Sequence, residues 1–545
     1  MVKKSQHKKR GFFRNVKPSL LLLLLPIAAG LAVIFLIGSG IYVNKLTNIG
    51  SNRLITKNWQ QAGNALQQTQ PQYGQKFAYY KVKLGQTLAD LSTYFSVDQA
   101  TLTKMNPGII TAGTTIKVPP VQHPLVPTSG SNGLISNAVV TNDGDMIRVT
   151  NKYGKGAQIV TTIPELMQFL KPYGAISEMS NKVFLINKAF SLDENIRLDI
   201  TPTTVSKLLL RSSPYDVSCL CMDGGVMLIQ DVSISSYDPA TEGPDTNSKD
   251  GRAFIRMLNG RMDILNSDIT WLGNPNKDEN VPGLNNVKPS LREGGVYGTS
   301  WRVSKGMLGI NIATGWVENN TFEHNHFGAY SFGASGIMWK SNQFSYNEIY
   351  GLDPHDDSNN ATIEDNVFSH NSKHGFIMSK RCNYNIVKDN ISYDNKYHGF
   401  MLHENSAYNL VEDNISYGNT DNYVIYNSNF NTIRDNKSYN PKSSGIRINQ
   451  PSYNNFITDN QLYGGGRGIY LYDGVNSTYI SGNTILGTKK IIQTSGATNT
   501  YFAQNIISSL TYEIPSSDRF VYGPNDIENK TYIPINPDKI AKQIR

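Results

Sequence analysis

Short apolar segments alternate with polar turns at a nearly constant interval over the second half of the chain. The interval is 22 to 24 residues and is marked by one asparagine per unit: Asn320, Asn342, Asn366, Asn390, Asn414, Asn436, Asn460 and Asn483. Three residues before each of the last six stands a β-branched residue, the type that a buried strand favours: Ile363, Val387, Val411, Ile433, Ile457 and Ile480. A repeat of this length indicates a solenoid.

A glycine and an apolar residue follow most of these asparagines by eight or nine positions: Gly351-Leu352, Gly375-Phe376, Gly399-Phe400, Gly445-Ile446 and Gly468-Ile469. Each unit has room for three short strands with turns, and it lacks the 3.6-residue period of helices. We therefore predict an all-β protein, with a right-handed parallel β-helix over residues 136–510. The asparagines are expected to be structural, because asparagine tolerates the left-handed conformation and its amide can bond to the next coil.

The positive charge of the chain is concentrated at its start. The formal net charge is +8, and the seven Lys and Arg residues within the first 17 positions supply +7, which leaves 8 − 7 = +1. A nucleic-acid partner is therefore not expected. We predict a basic cytoplasmic tail at 1–18, a transmembrane signal anchor at 19–43 and a spacer at 44–76, with the rest of the chain in the periplasm. The alternative is a signal cleaved near Gly38-Ser39-Gly40.

Residues 77–120 resemble a LysM module. The resemblance is carried by Gly85-Gln86-Thr87-Leu88, Asn106-Pro107 and Ile116-Lys117-Val118-Pro119. It implies a small α+β unit, in the order βααβ, that binds peptidoglycan or a similar polymer; the alternative is a spacer of weak affinity. A linker is predicted at 121–135, a helix near 163–170 that caps the solenoid, and a C-terminal cap or tail at 511–545. Cys219 and Cys221 are one residue apart, which disfavours a bond between them.

The chemistry is predicted around residues 351–358, Gly-Leu-Asp-Pro-His-Asp-Asp-Ser. If Leu352 is buried, strand alternation turns Asp353 and His355 outward together. The same offset from the glycine predicts a polar stripe along successive coils: Ser379, His403, Asn427, Asn449 and Tyr472. Seven of the nine histidines lie between 324 and 403, among both basic and acidic residues. Such a groove suits an extended anionic substrate that is handled by proton transfer.

Residues 250–480 resemble the periplasmic mannuronan C5-epimerases of bacterial alginate synthesis. The resemblance is carried by Gly351-Leu352-Asp353-Pro354-His355-Asp356, Lys373-His374-Gly375 and Thr314-Gly315-Trp316. It implies that the enzyme, an isomerase, inverts C5 of mannuronate within the polymer. His355 would be the base, Asp353 or Asp356 would orient it, and a cation would neutralise the sugar carboxylate. The arginine that the family uses as this cation aligns with Lys380 when counted from Lys373-His374-Gly375 and with Arg381 when counted from His355. Arg381 would be the better bidentate partner for a carboxylate.

The substrate-binding residues that we expect around this centre are Asp357, Lys373, His374, Lys396, His398, His403 and Arg447. The proton for the opposite face would come from His403, a tyrosine or water. The family usually has arginine where this chain has Asp357, so Ca²⁺ bound by Asp353, Asp356 and Asp357 is an alternative source of positive charge. No organic cofactor is implied. Other proteins of alginate synthesis or export are potential partners.

Two other functions fit the same residues. A uronan lyase would share the proton abstraction and then expel the substituent at O4. A non-catalytic protein would only bind or guide the polysaccharide.

Overall fold

The computed structural model describes residues 59–68, 77–130, 134–275 and 297–528, with short gaps at 143, 145, 153–157, 194, 214–215, 305, 309–310, 510 and 516–517. The predicted basic tail and membrane anchor, and most of the spacer, lie outside the described residues. Within the described ranges, no helix has both the length and the apolar character needed to cross a bilayer.

The main body is a parallel β-helix in which each complete coil contributes one strand to each of three sheets. Sheet 1 contains Ile159–Thr161, Ile196–Ile200, Val226–Gln230, Arg261–Leu265, Trp316–Glu318, Met338–Lys340, Thr362–Glu364, Ile386–Lys388, Leu410–Glu412, Thr432–Arg434, Phe456–Thr458, Tyr479–Ser481, Thr500–Ala503 and Phe520–Tyr522. Sheet 2 contains Ile176–Ser180, Val183–Ile186, Lys207–Ser213, Asp216–Val217, Ser233–Tyr237, Asp268–Thr270, Thr321–Glu323, Gln343–Ser345, Val367–Ser369, Ile391–Tyr393, Ile415–Tyr417, Lys437–Tyr439, Gln461–Tyr463, Thr484–Leu486, Ile506–Ile507 and Asp526–Ile527. Sheet 3 contains Ala138–Asn142, Ile147–Asn151, Phe190–Leu192, Cys219–Asp223, Phe254–Leu258, Thr299–Arg302, Ala329–Phe332, Leu352–His355, Phe376–Ser379, His398–His403, Asp421–Tyr426, Ser444–Asn449, Arg467–Tyr472, Lys490–Ser495 and Tyr512–Glu513.

Apolar side chains of equivalent positions stack inside the coils. The β-branched residues predicted to be buried pair in register along sheet 1 from Ile363 to Ile480, and all of them are inaccessible to solvent. Leu352, Phe376 and Phe400 form the corresponding stack in sheet 3. The all-β solenoid that the repeat predicted is therefore confirmed, and the core is one continuous apolar column.

The asparagines form a buried ladder through their amides. Asn390, for example, accepts from the backbone and amide nitrogens of Asn366 at 2.9 and 3.0 Å, and donates to the amide oxygen of Asn414 at 2.9 Å. The expectation that these asparagines are left-handed was wrong. The residue before each of them usually has positive φ instead, as at Asp389, because that residue turns the corner while the asparagine points into the coil.

The N-terminal end of the solenoid is covered by the helix Ile163–Phe169, close to the predicted position. Ile163 and Leu166 of this helix are fully buried against the first coils. The short helix Leu134–Asn137 and two 3₁₀ turns, Lys171–Tyr173 and Ser248–Asp250, complete the helical elements described in the main body. The helices Leu134–Asn137 and Ile163–Phe169 and the turn Lys171–Tyr173 cover the N-terminal end of the apolar column, whereas Ser248 of the second turn contacts Glu348.

Residues 78–118 form a separate unit with the element order that the LysM resemblance implies. Strands Ala78–Lys81 and Thr115–Val118 pair antiparallel around helices Leu88–Phe95 and Gln99–Met105. The unit lies against the outer face of sheet 1. The fully buried Arg261 donates to the carbonyl of Tyr94 at 2.8 Å and also pairs with Asp263 of its own strand at 2.7 Å. A carbohydrate-binding role for this unit stays a prediction.

The helix Trp59–Gln67 packs on sheet 1 near the C-terminal coils, against Tyr479 and Tyr501. Cys219 and Cys221 share one face of a strand, because alternation turns both side chains to the same side, and their sulfur atoms are in contact.

Candidate active site

The outer face of sheet 3 carries three parallel rows of side chains, one residue of each row from every coil. The first row contains Tyr350, His374, His398, Asp421 and Ser444; the middle row contains Tyr330, Asp353, Ile377, Met401, Val424 and Arg447; the last row contains Phe332, His355, Ser379, His403, Tyr426 and Asn449. Neighbours in a row are about 4.8 Å apart, the spacing of paired strands. The rows together form a groove along the solenoid.

The last row is the stripe predicted from the glycine offset, with one correction. Tyr426 rather than Asn427 pairs with His403 and Asn449. This coil has Asn422 where its neighbours have glycine, so counting from a glycine misplaced the position by one residue. Glycine is required at Gly351 because a Cβ there would lie 2.5 Å from the carbonyl oxygen of Gly375.

A cavity of about 340 Å³ opens in this groove and collects half of the predicted site residues. Those that line it are Asp353, His355, Lys373, His374, Lys380 and His403. The other six predicted site residues do not line it: Asp356, Asp357, Arg381, Lys396, His398 and Arg447. The middle row thus forms the floor of the site, and the first and last rows form its two walls.

His355 stands on one wall with its ring held from two sides. Its Nδ1 lies 2.7 Å from Oδ2 of Asp356, although the contact lacks the alignment of a hydrogen bond. Its ring also contacts Tyr330, with centroids 5.6 Å apart. The imidazole is about one quarter exposed, so it can reach a ligand in the cavity. Asp356, not Asp353, is therefore the carboxylate that touches the predicted base.

Asp353 faces the groove as alternation predicted, but it is buried, with only 2% of its surface exposed. Burial is the main reason that its pKa rises from 3.8 to about 6, while the charge of His355 and a hydrogen bond from Ser379 act in the opposite direction. Its Oδ1 has no hydrogen-bond partner among the described residues. This oxygen is itself inaccessible to solvent, although the residue lines the floor of the cavity.

Arg381 is occupied by carboxylates of its own chain. Its Nε and Nη2 contact both oxygens of Asp357 at 3.0 and 2.9 Å, and Nη2 also lies 2.7 Å from Asp356. These bonds to Asp357 and Asp356 raise the pKa of the guanidinium. Because both acids turn towards Arg381, they do not converge with Asp353 on a common cation, and no metal-binding cluster of three such ligands occurs in the described part of the chain.

Lys380 lines the cavity beside the base. Its Nζ is 3.8 Å from Glu404, a longer contact than any made by Arg381 to its acids, and the side chain is 44% exposed. Of the two candidates left open by the sequence, Lys380 is therefore the one with a cation available to a ligand. Lys373 lines the opposite side, with its Nζ 5.9 Å from the centre of the Tyr350 ring.

The first row forms the opposite wall, and its histidines are neutral. His374 accepts at Nδ1 from the backbone N–H of His398, which leaves its proton on Nε2. Burial, followed by the charges of neighbouring residues, lowers the pKa of His374. His398 accepts at Nε2 from Arg447 at 2.9 Å, and burial lowers its pKa to about 3. Arg447 itself is paired with the buried Asp421 at 3.2 Å.

Several groups of the cavity were missed by the sequence analysis. Tyr350 precedes Gly351 as His374 precedes Gly375, so aligning the coils on their glycines would have found it. Burial raises the pKa of Tyr350 to about 12, which keeps its hydroxyl protonated. His326 also lines the cavity; its Nδ1 lies 2.8 Å from Glu348, which is held by the buried Arg252. No local pattern signals that long-range contact.

Comparison with known proteins supports the fold and the resemblance. The family model "Right handed beta helix region" matches residues 299–415 and 381–507. A mannuronan C5-epimerase of Pseudomonas fluorescens is 28% identical over 197 residues, 36% of this chain and 34% of that protein. Mannuronan C5-epimerase AlgG of Azotobacter vinelandii is 40% identical over 50 residues, 9% of this chain and 10% of that protein. The chain thus matches about a third or less of the length of these curated relatives.

The crystal structure of the periplasmic alginate epimerase AlgG superposes with a TM-score of 0.53 and 18% identity, covering 87% of this chain and all of that one. A single-substitution mutant of the same enzyme gives the same score over 88% of this chain. The right-handed parallel β-helix is therefore confirmed, and so is the predicted resemblance to mannuronan C5-epimerases. The similarity at this level of identity concerns the fold.

The buried carboxylate of Asp353 should cost stability at neutral pH. Because its folded-state pKa of about 6 exceeds the ordinary 3.8, the cost is full above pH 6 and disappears below pH 3.8. We expect Asp353→Asn to raise the free energy of unfolding by up to about 3 kcal/mol near pH 8 and to leave it unchanged at low pH. Denaturation at several pH values measures this, with Asp413→Asn at an exposed turn as control. If Asp353→Asn raised the free energy of unfolding equally at low pH and near pH 8, the buried charge would not be the cause.

Proposed function

We propose that this protein is a mannuronan C5-epimerase, which converts β-D-mannuronate to α-L-guluronate residues within polymeric alginate. The observation that carries the proposal is one cavity with an imidazole on one wall, proton donors on the other and a cation at its edge. A sugar lying over the middle row would present its two faces to the two walls. Epimerisation needs that arrangement, because the proton removed from one face of C5 must be replaced on the other.

His355 acts as the base in this proposal. Asp356 lies at Nδ1 and fixes the ring, which leaves Nε2 to take the C5 proton. Breaking the C5–H bond delivers its electron pair into the adjacent carboxylate, giving an enediolate.

Lys380 neutralises the sugar carboxylate while that charge builds up. Its ammonium lines the cavity, whereas the guanidinium of Arg381 is bound by Asp356 and Asp357. Arg381 is then a positioning residue, since it holds Asp356 against the base. Asp353 contributes at the floor: in its protonated form it can donate a hydrogen bond to the same sugar carboxylate.

Tyr350 returns a proton to the opposite face of C5. Its ring lies in the wall across from His355, beside His374 at a centroid distance of 5.0 Å. The raised pKa of Tyr350, about 12, keeps the proton on its hydroxyl at neutral pH. Solvent then removes the proton from His355 and restores the one on Tyr350, which closes the cycle.

The reaction is proposed to occur in the periplasm, with the chain held at the inner membrane by residues 19–43, as their apolar sequence suggests. The crystallised relative named periplasmic has the same fold. Peptidoglycan binding by the unit at 78–118, and contact with other proteins of alginate synthesis, are further parts of this proposal. They rest on the LysM resemblance and on the substrate, respectively.

The assignment is tested by incubating the full chain with polymannuronate and following guluronate by proton NMR. We expect guluronate from the wild-type protein and a loss of at least about 100-fold with His355→Ala, because the base is removed. His123→Ala, an exposed histidine outside the groove, is the matched control and should remain active. Unsaturated sugar ends without guluronate would show a lyase instead, and binding without any conversion would show a guiding protein.

The two candidate cations predict different kinetics. Lys380→Met should lower kcat by about 100- to 1000-fold, the usual cost of removing a group that stabilises a developing oxyanion. Arg381→Gln should retain more activity and move the acidic limb of the rate–pH profile to higher pH, because Asp356 and Asp357 are then unneutralised beside His355. A lower kcat for Arg381→Gln than for Lys380→Met, with an unshifted profile, would reverse the assignment.

A further inference from the structure

Two arginines lie on the outer face of sheet 3, on the N-terminal side of the cavity. Arg302 pairs in register with Phe332, which pairs with His355, so it stands two coils before the base in the last row. Arg256 lies on the middle row, three coils before Asp353. At about 4.8 Å per coil, the two positions are roughly 10 and 14 Å from the reacting centre along the groove.

Neither arginine forms an ion pair with a carboxylate within the described residues. Arg302 is held by aromatic rings instead: its guanidinium carbon lies 5.4 Å from the ring centre of Tyr297 and 6.0 Å from that of Tyr330. Arg256 lies 5.8 Å from the ring of Phe254, and its buried Nε has no hydrogen-bond partner there. Both side chains are only partly buried, so they remain accessible from the groove.

Two cations placed side by side repel each other. Burial, followed by the charge of Arg302, lowers the pKa of Arg256 to about 10, while the charge of Asp223 acts in the opposite direction. Asp223 accepts a hydrogen bond from Asn259 at 2.9 Å and forms no ion pair with Arg256 in the described structure. Elsewhere in the groove, Arg381 and Arg447 are each matched with acids of the chain. The pair at 256 and 302 is the exception among these groove arginines.

We propose that Arg256 and Arg302 form a carboxylate-binding subsite for a uronate residue of the polymer on the N-terminal side of the reacting sugar. A guanidinium binds a carboxylate through two parallel hydrogen bonds, and within the described residues neither guanidinium is engaged in an ion pair, although Asp223 lies near Arg256. The stacked rings of Tyr297 and Tyr330 lie between Arg302 and His355, at a centroid distance of 3.4 Å, and offer a surface for the intervening sugar. This inference rests on the proposed function.

The subsite makes the groove directional. Substrate must extend from the cavity towards the N-terminal coils to reach it, and an oligomer that ends at the reacting sugar on that side would lose the contact. Arg256 and Arg302 thus favour reaction inside long chains over reaction at that end of the polymer.

The test is binding of polymannuronate to the full chain carrying His355→Ala, measured by calorimetry at fixed ionic strength. In this background the double substitution Arg256→Gln and Arg302→Gln should weaken binding by about 10- to 100-fold, as expected for lost charge-assisted hydrogen bonds. Arg434→Gln removes the same charge from sheet 1, away from the groove, and should leave affinity unchanged. The uncharged, carboxyl-reduced polymer should not distinguish the arginine variants.

Equal affinity of the double variant and Arg434→Gln for polymannuronate would overturn the subsite. If the double variant does not fold, Arg302→Gln alone is measured, since this side chain contacts rings at the surface, and a loss of at least about 5-fold is then expected. Because the assay needs no turnover, its result is independent of the epimerase assignment: wild-type protein that binds through these arginines but makes no guluronate refutes only the function.

Discussion

The register between coils is the constraint on which the rest of the structure depends. Each buried asparagine amide bonds both to the coil before and to the coil after, as Asn390 does with Asn366 and Asn414. A slip of one residue would turn every strand over and bury the polar face. The ladders therefore fix which side chains share a row on sheet 3, and residues far apart in sequence, such as Tyr350 and His403, meet in one cavity.

Within that frame, the site is organised by how its charges are paired. Asp357, where the family resemblance leads one to expect arginine, binds Arg381 of the next coil through both of its oxygens. Arg381 neutralises the negative charge of Asp357, so its guanidinium is already occupied by an acid of the protein. In the proposed mechanism Lys380 remains for the substrate. Arg256 and Arg302, three and two coils away and without an ion pair in the described structure, extend the same principle along the groove. Cations that form ion pairs with acids of the protein stabilise the fold, and cations without such a partner in the described structure are proposed to bind the anionic substrate.

Most of the fold and the centre of the site could be predicted from the sequence. The asparagine spacing and the β-branched positions identify the coils, and alternation alone turns Asp353 and His355 outward. Burial of Asp353 could not be predicted, because it depends on neighbouring coils such as the one that carries Tyr330. The pairing of Arg381 with two acids, and of His326 with Glu348, joins side chains through geometry that no local pattern encodes. The left-handed conformation was predicted at the asparagine but occurs at the residue before it, as at Asp389. The ladder requires the asparagine side chain to point into the coil, so the preceding residue makes the turn.

The central claim is that His355 removes the C5 proton on one side of the sugar and a different group restores it on the other. The most direct measurement is conversion of polymannuronate in D₂O, with deuterium at C5 of the products read by NMR and mass spectrometry. If His355 and a second group act on opposite faces, newly formed guluronate carries one solvent deuterium at C5, and the His355→Ala variant forms none. Guluronate that retains the original hydrogen at C5 would contradict it, because the same proton would then have been carried across the ring.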